Sequence, residues 1–244
     1  MKKFRTTTEE EVGKNIAQIF SYCPDPLEIK IQNFPKYARR QPLKRFLSMY
    51  EIFKLALPVK GSVVECGVYQ GFSLMSWAKL STILEPENLT RRIYGFDTFQ
   101  GFTGISDQDK NPLAVHREGD FATGSYEELQ LLIEEYDQDR FLGHMNKVQL
   151  IKGDVCRTIP KFLADNGHLV VSLLFIDLDL YEPTRVAIEN FLPRMPKGAV
   201  IAFDDLDNPM WPGEAMGLME TVGIRNLQLR RLEWDPYIGY AILG

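Results

Sequence analysis

Four aspartates in two tight groups are the residues best suited to chemistry. Asp177 and Asp179 close the most hydrophobic run of the chain, VVSLLFIDLD (170–179), and Asp204 and Asp205 close the run GAVIAFDD (198–205). If both runs are adjacent parallel strands, all four carboxylates meet at the carboxyl edge of a sheet, where open α/β sheets bind ligands. Carboxylates crowded in this way repel one another unless a cation enters or their pKa values rise. All-oxygen ligation suits Mg²⁺, with Mn²⁺ or Ca²⁺ as substitutes. Alternation along a strand would send Asp177 and Asp179 to the same side, so that one could bind the cation while the other stands beside a substrate. The plainer alternative makes Asp204, Asp205 and Asp207 a solvated acidic loop with helix-capping duties.

A second group sits where an earlier apolar run, SVVECG (62–67), turns toward a helical pattern: Glu65, Cys66, Gly67, Val68, Tyr69, Gln70 and Gly71. Gly67 and Gly71 would let a ligand approach the backbone, and a helix N-terminus behind them offers unpaired N–H groups. The spacing is G-x-x-x-G, not the G-x-G-x-x-G of a dinucleotide site. A purely structural glycine turn fits the same residues. Asp97, closing the next apolar run, is placed to accept hydrogen bonds from ribose hydroxyls, as nucleotide sites require, and together the two signals favour an adenosine-containing ligand. Asp97 as a turn residue remains open. Asp154, after the run VQLIKGD (148–154), could meet an adenine amino group or serve an everyday Gly-Asp turn.

Other polar groups carry weaker signals. His116, His144 and His168 fall in expected loops with no partner visible in sequence and read as surface histidines. Trp77, Trp211 and Trp234 read as core or rim packing, although Met210 to Gly213 follows the Asp204–Asp205 pair closely enough to wall a pocket. The stretch from Thr98 to Gly124 lacks periodicity and carries Lys110, His116 and Arg117; a long unpatterned loop is more often functional than idle. Those cations could meet a diphosphate, or the loop could be a lid.

The elements that must position these residues follow from periodicity. Five short apolar runs, each ending in Gly or Asp, predict buried parallel strands, and helical patterns at 72–84, 125–136, 157–165 and 182–194 separate several of them. This is an α/β fold with a mostly parallel sheet, helices on both faces, and a closing antiparallel hairpin from LQLRRLEW and YIGYAIL around Pro236. Residues 1–60 predict an N-terminal helical layer, and 61–244 the α/β core; at 244 residues one domain overall suffices. The N-terminal helices could pair two copies or cover the site. Three scattered cysteines and three histidines exclude a disulfide framework or a soft-ligand metal centre, and a net charge of −5 argues against nucleic acid as a partner. No apolar run approaches a membrane span, and the N-terminus lacks a secretory pattern, so a soluble cytoplasmic protein with no membrane partner is expected.

With those residues in place, the chain resembles the macrocin, mycinamicin and novobiocin sugar O-methyltransferase family. The likeness rests on VVECGVYQGFS (63–73), YGFDTFQGF (94–102), FIDLDLYEPT (175–184) and VIAFDDLDNP (200–209), and covers about residues 60–220. The resemblance implies a Rossmann-like class I methyltransferase using S-adenosylmethionine and Mg²⁺ to methylate a sugar hydroxyl, with a 6-deoxyhexose acceptor that is nucleotide-activated or attached to a natural product. It assigns Asp177, Asp204 and Asp205 to the metal and Asp179 to the general base. It also makes Glu65, Gly67 and Asp97 part of the cofactor site, to which the reading of the residues themselves adds Tyr69, Gly71 and Asp154. Leu178 stands where the family often has Gly, and Cys66 and Gln70 where Thr and Arg are common. A catechol-type O-methyltransferase would use similar ligands on an aromatic diol. A non-catalytic cofactor-binding or scaffold protein would keep the fold, but binding alone needs no base beside a metal.

Overall fold

A computed structural model describes residues 6–244. The described residues form two compact units, divided between Leu47 and Ser48. The first contains α1 (Thr7–Tyr22) and α2 (Leu27–Gln32) and runs into α3 (Arg40–Ala56). Thr6 and Glu9 form a reciprocal capping box that starts α1. No side chain of α1 is buried.

The second unit continues through β1 (Ser62–Cys66), α4 (Phe72–Leu84), β2 (Ile93–Asp97), α5 (Ser125–Gln138), β3 (Val148–Lys152) and α6 (Val155–Asp165). It is completed by β4 (Val171–Ile176), α7 (Tyr181–Phe191), β5 (Val200–Phe203), α8 (Gly213–Thr221), β6 (Arg230–Arg231) and β7 (Gly239–Ile242). The strands form one seven-stranded sheet in the order β3-β2-β1-β4-β5-β7-β6. The first five are parallel, and β7 runs antiparallel to both β5 and β6. This is the expected Rossmann-like α/β architecture.

Burial explains the strand pattern. Every residue of β1, β4 and β5 is buried, as predominantly apolar runs require when both sheet faces are covered. On one face Phe96, Leu174, Ile176 and Phe203 pack with Ile159 and Phe162 of α6 and with Ile188 and Phe191 of α7. On the other, Phe175 meets Trp77 of α4 edge-on, and Phe53 stacks on Trp77.

Three departures from the expected elements have local causes. α7 gives way at Leu192–Arg194 to a tighter turn, where Pro193 cannot continue an α-helix. β6 shrinks to two exposed arginines at the sheet edge. α8 is not among the expected helices; the sequence reading places Pro212 and Gly213 only in the Met210–Gly213 pocket wall and gives Glu214 no role. Among the described residues, no helix is long and apolar enough to cross a membrane.

Candidate active site

The parallel ladder runs one residue past each strand and sets the functional residues side by side. Gly67 N–H donates to Phe96 O, Asp177 N–H to Cys66 O, and Asp204 N–H to Ile176 O, at 2.8–3.0 Å. Gly67 has φ +94°, and a Cβ there would lie 1.7 Å from the Asp177 carbonyl oxygen. Only glycine permits this approach. A cavity of about 290 Å³ opens above that edge. Gly67, Tyr69, Asp97, Thr98 and Asp154 form part of its wall; Asp177, Asp179, Asp204, Asp205 and Trp211 form another.

Asp97 is more occupied than the sequence suggests. Its Oδ2 accepts from the Val68 and Tyr69 N–H groups, both at 2.8 Å, and its Oδ1 from Phe99 N–H at 2.6 Å. These bonds hold Tyr69 (φ +52°) and Phe99 (φ +57°) in left-handed conformations that bulky side chains rarely adopt. A carboxylate offers about four lone-pair positions, so one remains for a ligand hydroxyl. Asp154 caps α6 through Cys156 N–H at 2.9 Å while still lining the cavity.

Two residues assigned to the cofactor lie off the cavity wall. Glu65 is fully buried and accepts from Ser73 Oγ at 3.0 Å, bracing the turn from behind. Gly71 has φ +83°, and a Cβ there would lie 2.2 Å from Leu129 Cδ2, so helix packing explains that glycine.

Asp177 and Asp179 both face the cavity, but not by strand alternation. β4 ends at Ile176, and Asp179 has φ +62° in the turn leading to α7. That turn is held by Glu214, a fully buried residue of α8 that the sequence reading missed. Glu214 Oε1 accepts from the Leu178 and Asp179 N–H groups at 3.0 and 3.3 Å, and Oε2 from Asp205 N–H at 3.1 Å. One carboxylate thus ties together the two loops that carry the aspartates. The Pro-Gly-Glu start signal could have revealed the helix, but not the direction of its glutamate.

Burial, then the neighbouring Glu214, Asp205 and Asp204, pushes the Asp179 carboxyl up to about 9. Burial, followed by Asp177, Asp205 and Asp204, also raises Glu214 well above the usual carboxylate range. The side-chain charges acting on both are carboxylates. Among the described residues, no three His, Cys, Asp or Glu side chains are gathered as a metal-holding group.

The raised Asp179 has a measurable consequence. In protein stripped of divalent cations, its contribution to stability should diminish as pH rises from about 4 toward about 9. Unfolded Asp179 loses its proton near 4, whereas the folded residue keeps it to about 9, so the folded state binds more protons across that window. The slope is at most about 1.4 kcal/mol per pH unit for that one proton. Thermal unfolding in chelator across this range should show Asp179→Asn gaining on the wild type as pH increases. Parallel curves would show that Asp179 is an ordinary carboxylate.

His116 is not the partnerless surface histidine expected. Its ring stacks on Trp211 at 3.9 Å between centroids, and its Nε2 lies 2.9 Å from the Met210 carbonyl oxygen. Trp211 lines the cavity, as expected of the Met210–Gly213 wall. Lys110 is paired with Asp107 at 2.5 Å.

Comparison with known proteins adds an independent line. Residues 64–206 match a family described as a methyltransferase domain. A curated relative from Streptomyces olivaceus, 8-demethyl-8-(2,3-dimethoxy-alpha-L-rhamnosyl)-tetracenomycin-C 4'-O-methyltransferase, is 30% identical over 159 residues, covering 62% of this chain. The chain's match spans about half, 55%, of that relative's length. The crystal structure of CalS11, a calicheamicin methyltransferase, is 35% identical with a TM-score of 0.95, over 99% of this chain and 95% of that one. An apo structure of CalS11, a TDP-rhamnose 3'-O-methyltransferase of calicheamicin biosynthesis, is 33% identical with a TM-score of 0.87 over 99% and 97% of the two chains. The O-methyltransferase NovP shares the fold at 21% identity and a TM-score of 0.65, over 82% of this chain and 80% of that one.

Proposed function

Because the chain belongs to the methyltransferase-domain family, we propose that it is an S-adenosylmethionine-dependent O-methyltransferase acting on a sugar hydroxyl in natural-product biosynthesis. The observation that carries this reading is one cavity shared by a glycine turn with Asp97 and by the four aspartates Asp177, Asp179, Asp204 and Asp205. The names of the similar proteins, a rhamnosyl 4'-O-methyltransferase and a TDP-rhamnose 3'-O-methyltransferase, support a 6-deoxyhexose acceptor. A nucleotide-linked sugar is favoured by the full-length similarity to the second. It draws little from the 98–124 loop, because Lys110 is paired with Asp107 and His116 is stacked on Trp211.

The proposed reaction is direct displacement. S-adenosylmethionine would supply the electrophilic sulfonium methyl group and leave as S-adenosylhomocysteine, and Asp179 would take the proton of the sugar hydroxyl that displaces it. Gly67, Tyr69, Asp97 and Asp154 would hold the cofactor, fixing its methyl group toward the acceptor. A general base must be ionised before it accepts a proton, and Asp179 held near 9 is not ionised at neutral pH. The donor set is all oxygen and mutually repelling, which suits a hard cation, although the side chains would have to close together to become its ligands. Asp177, Asp204 and Asp205 would hold Mg²⁺, which would restore Asp179 to its ionised form and acidify the acceptor hydroxyl.

The test is methyl transfer from S-adenosylmethionine to TDP-rhamnose. Chelator should abolish turnover and Mg²⁺ restore it, while S-adenosylhomocysteine binding persists in both. Asp204→Asn or Asp205→Asn should raise the Mg²⁺ concentration needed for half-maximal rate. Full turnover in chelated protein would remove the metal assignment, and no transfer to any sugar would remove the acceptor class.

A further inference from the structure

Beside the glycine turn and the aspartates, the cavity has an aromatic side. Phe102, Phe121 and Trp211 line it and contact one another pairwise, with centroids 5.4–6.0 Å apart and planes inclined by 55–68°. Tyr69, from the glycine turn, meets Phe121 edge-on at 5.9 Å. Three separate segments therefore converge: the turn after β1, the 98–124 loop, and the loop before α8.

Simple core packing does not explain this cluster. Phe121 is 49% exposed and Tyr69 is 46% exposed, yet both hold left-handed backbone conformations, with φ +63° and +52°. Placing a large apolar side chain half in water on a strained backbone costs stability twice and is characteristic of functional sites. Trp211, by contrast, is firmly set. His116 stacks against it at 3.9 Å, and the Met210 carbonyl accepts from His116 Nε2 at 2.9 Å and from Asn111 Nδ2 at 3.0 Å. The 98–124 loop is thereby pinned beside the ring.

We propose that Phe102, Phe121 and Trp211 form the acceptor subsite, a three-ring corner against which the C–H face of a pyranose packs, and that His116 is the positioning residue for Trp211. The inference deepens the sugar O-methyltransferase reading and rests on it. A pyranose combines an apolar C–H face with an edge of hydroxyls, and this cavity combines inclined aromatic rings with a group of carboxylates. The aromatic rings provide apolar contact, and the carboxylates supply the few polar groups that fix orientation.

Steady-state kinetics with S-adenosylmethionine and TDP-rhamnose test the proposal. Trp211→Ala should raise the KM for TDP-rhamnose by about 10- to 100-fold, the scale of truncating an aromatic anchor, while S-adenosylhomocysteine affinity stays at the wild-type value. Trp211→Phe should recover most of that loss. His116→Ala should raise acceptor KM less than Trp211→Ala, and His116→Gln, which keeps an N–H donor but no ring, should resemble His116→Ala. A wild-type enzyme that methylates TDP-rhamnose alongside a Trp211→Ala variant with unchanged acceptor KM would overturn the subsite and leave the function standing. A wild-type enzyme that binds S-adenosylhomocysteine but methylates neither TDP-rhamnose nor methyl α-L-rhamnoside would overturn the sugar reading, and the subsite with it.

Discussion

Asp179→Asn is expected to lower kcat at saturating Mg²⁺ by about 10²- to 10⁴-fold, the usual cost of losing a general base, with S-adenosylhomocysteine affinity nearly unchanged. Asparagine is nearly isosteric with aspartate and tolerates the left-handed region, so the φ of +62° at this position should survive the change. The backbone N–H of residue 179 still donates to Glu214, and the turn keeps its shape. What disappears is a group able to take the acceptor's proton. The substitution also removes a carboxyl that Glu214, Asp205 and Asp204 oppose, so the metal-free variant should be at least as heat-stable as the wild type at neutral pH. Rescue of the rate by excess Mg²⁺ would make Asp179 a ligand and require another base.

Glu214→Ala is the second large effect. It should abolish most turnover and lower the melting temperature by about 6–12 °C. One buried carboxylate accepts three backbone N–H groups, from Leu178, Asp179 and Asp205. Alanine leaves those part-buried donors without that partner, at a cost of about 1–3 kcal/mol for each that finds no replacement. A total of at least about 3 kcal/mol corresponds to that shift for a chain of this size. Activity falls for a different reason: the loops bearing Asp179 and Asp205 lose their common tie, and small misplacements of catalytic groups are costly. Glu214→Gln keeps one acceptor oxygen but turns an amide N–H₂ toward a donor, so it should lie between alanine and wild type in both measurements. Wild-type melting temperature and kcat in Glu214→Ala would show that the tie holds nothing in place.

The alternation of apolar runs with 3.6-residue patterns determined the parallel sheet, because each signal is local: a strand covered on both faces must be apolar along its length. Sequence also located Gly67 at the first turn and the aspartates at strand ends, since the ladder carries the backbone of residues 67, 177 and 204 to neighbouring positions once the strands are parallel. Side-chain direction was a different matter. Strand alternation was the argument for placing Asp177 and Asp179 together, yet a left-handed turn at Asp179 does it. Asp97 was read as a ribose acceptor, and only the fold shows three backbone N–H groups reaching it from two loops. Glu214 lies 35 and 36 residues from the backbone groups of Asp179 and Leu178 that it holds, and Phe102, His116 and Trp211 meet across about a hundred positions. No periodicity links such residues. Their meeting is decided by how α8 and the 98–124 loop pack over the sheet edge, where buried donors must find acceptors and aromatic rings must find one another.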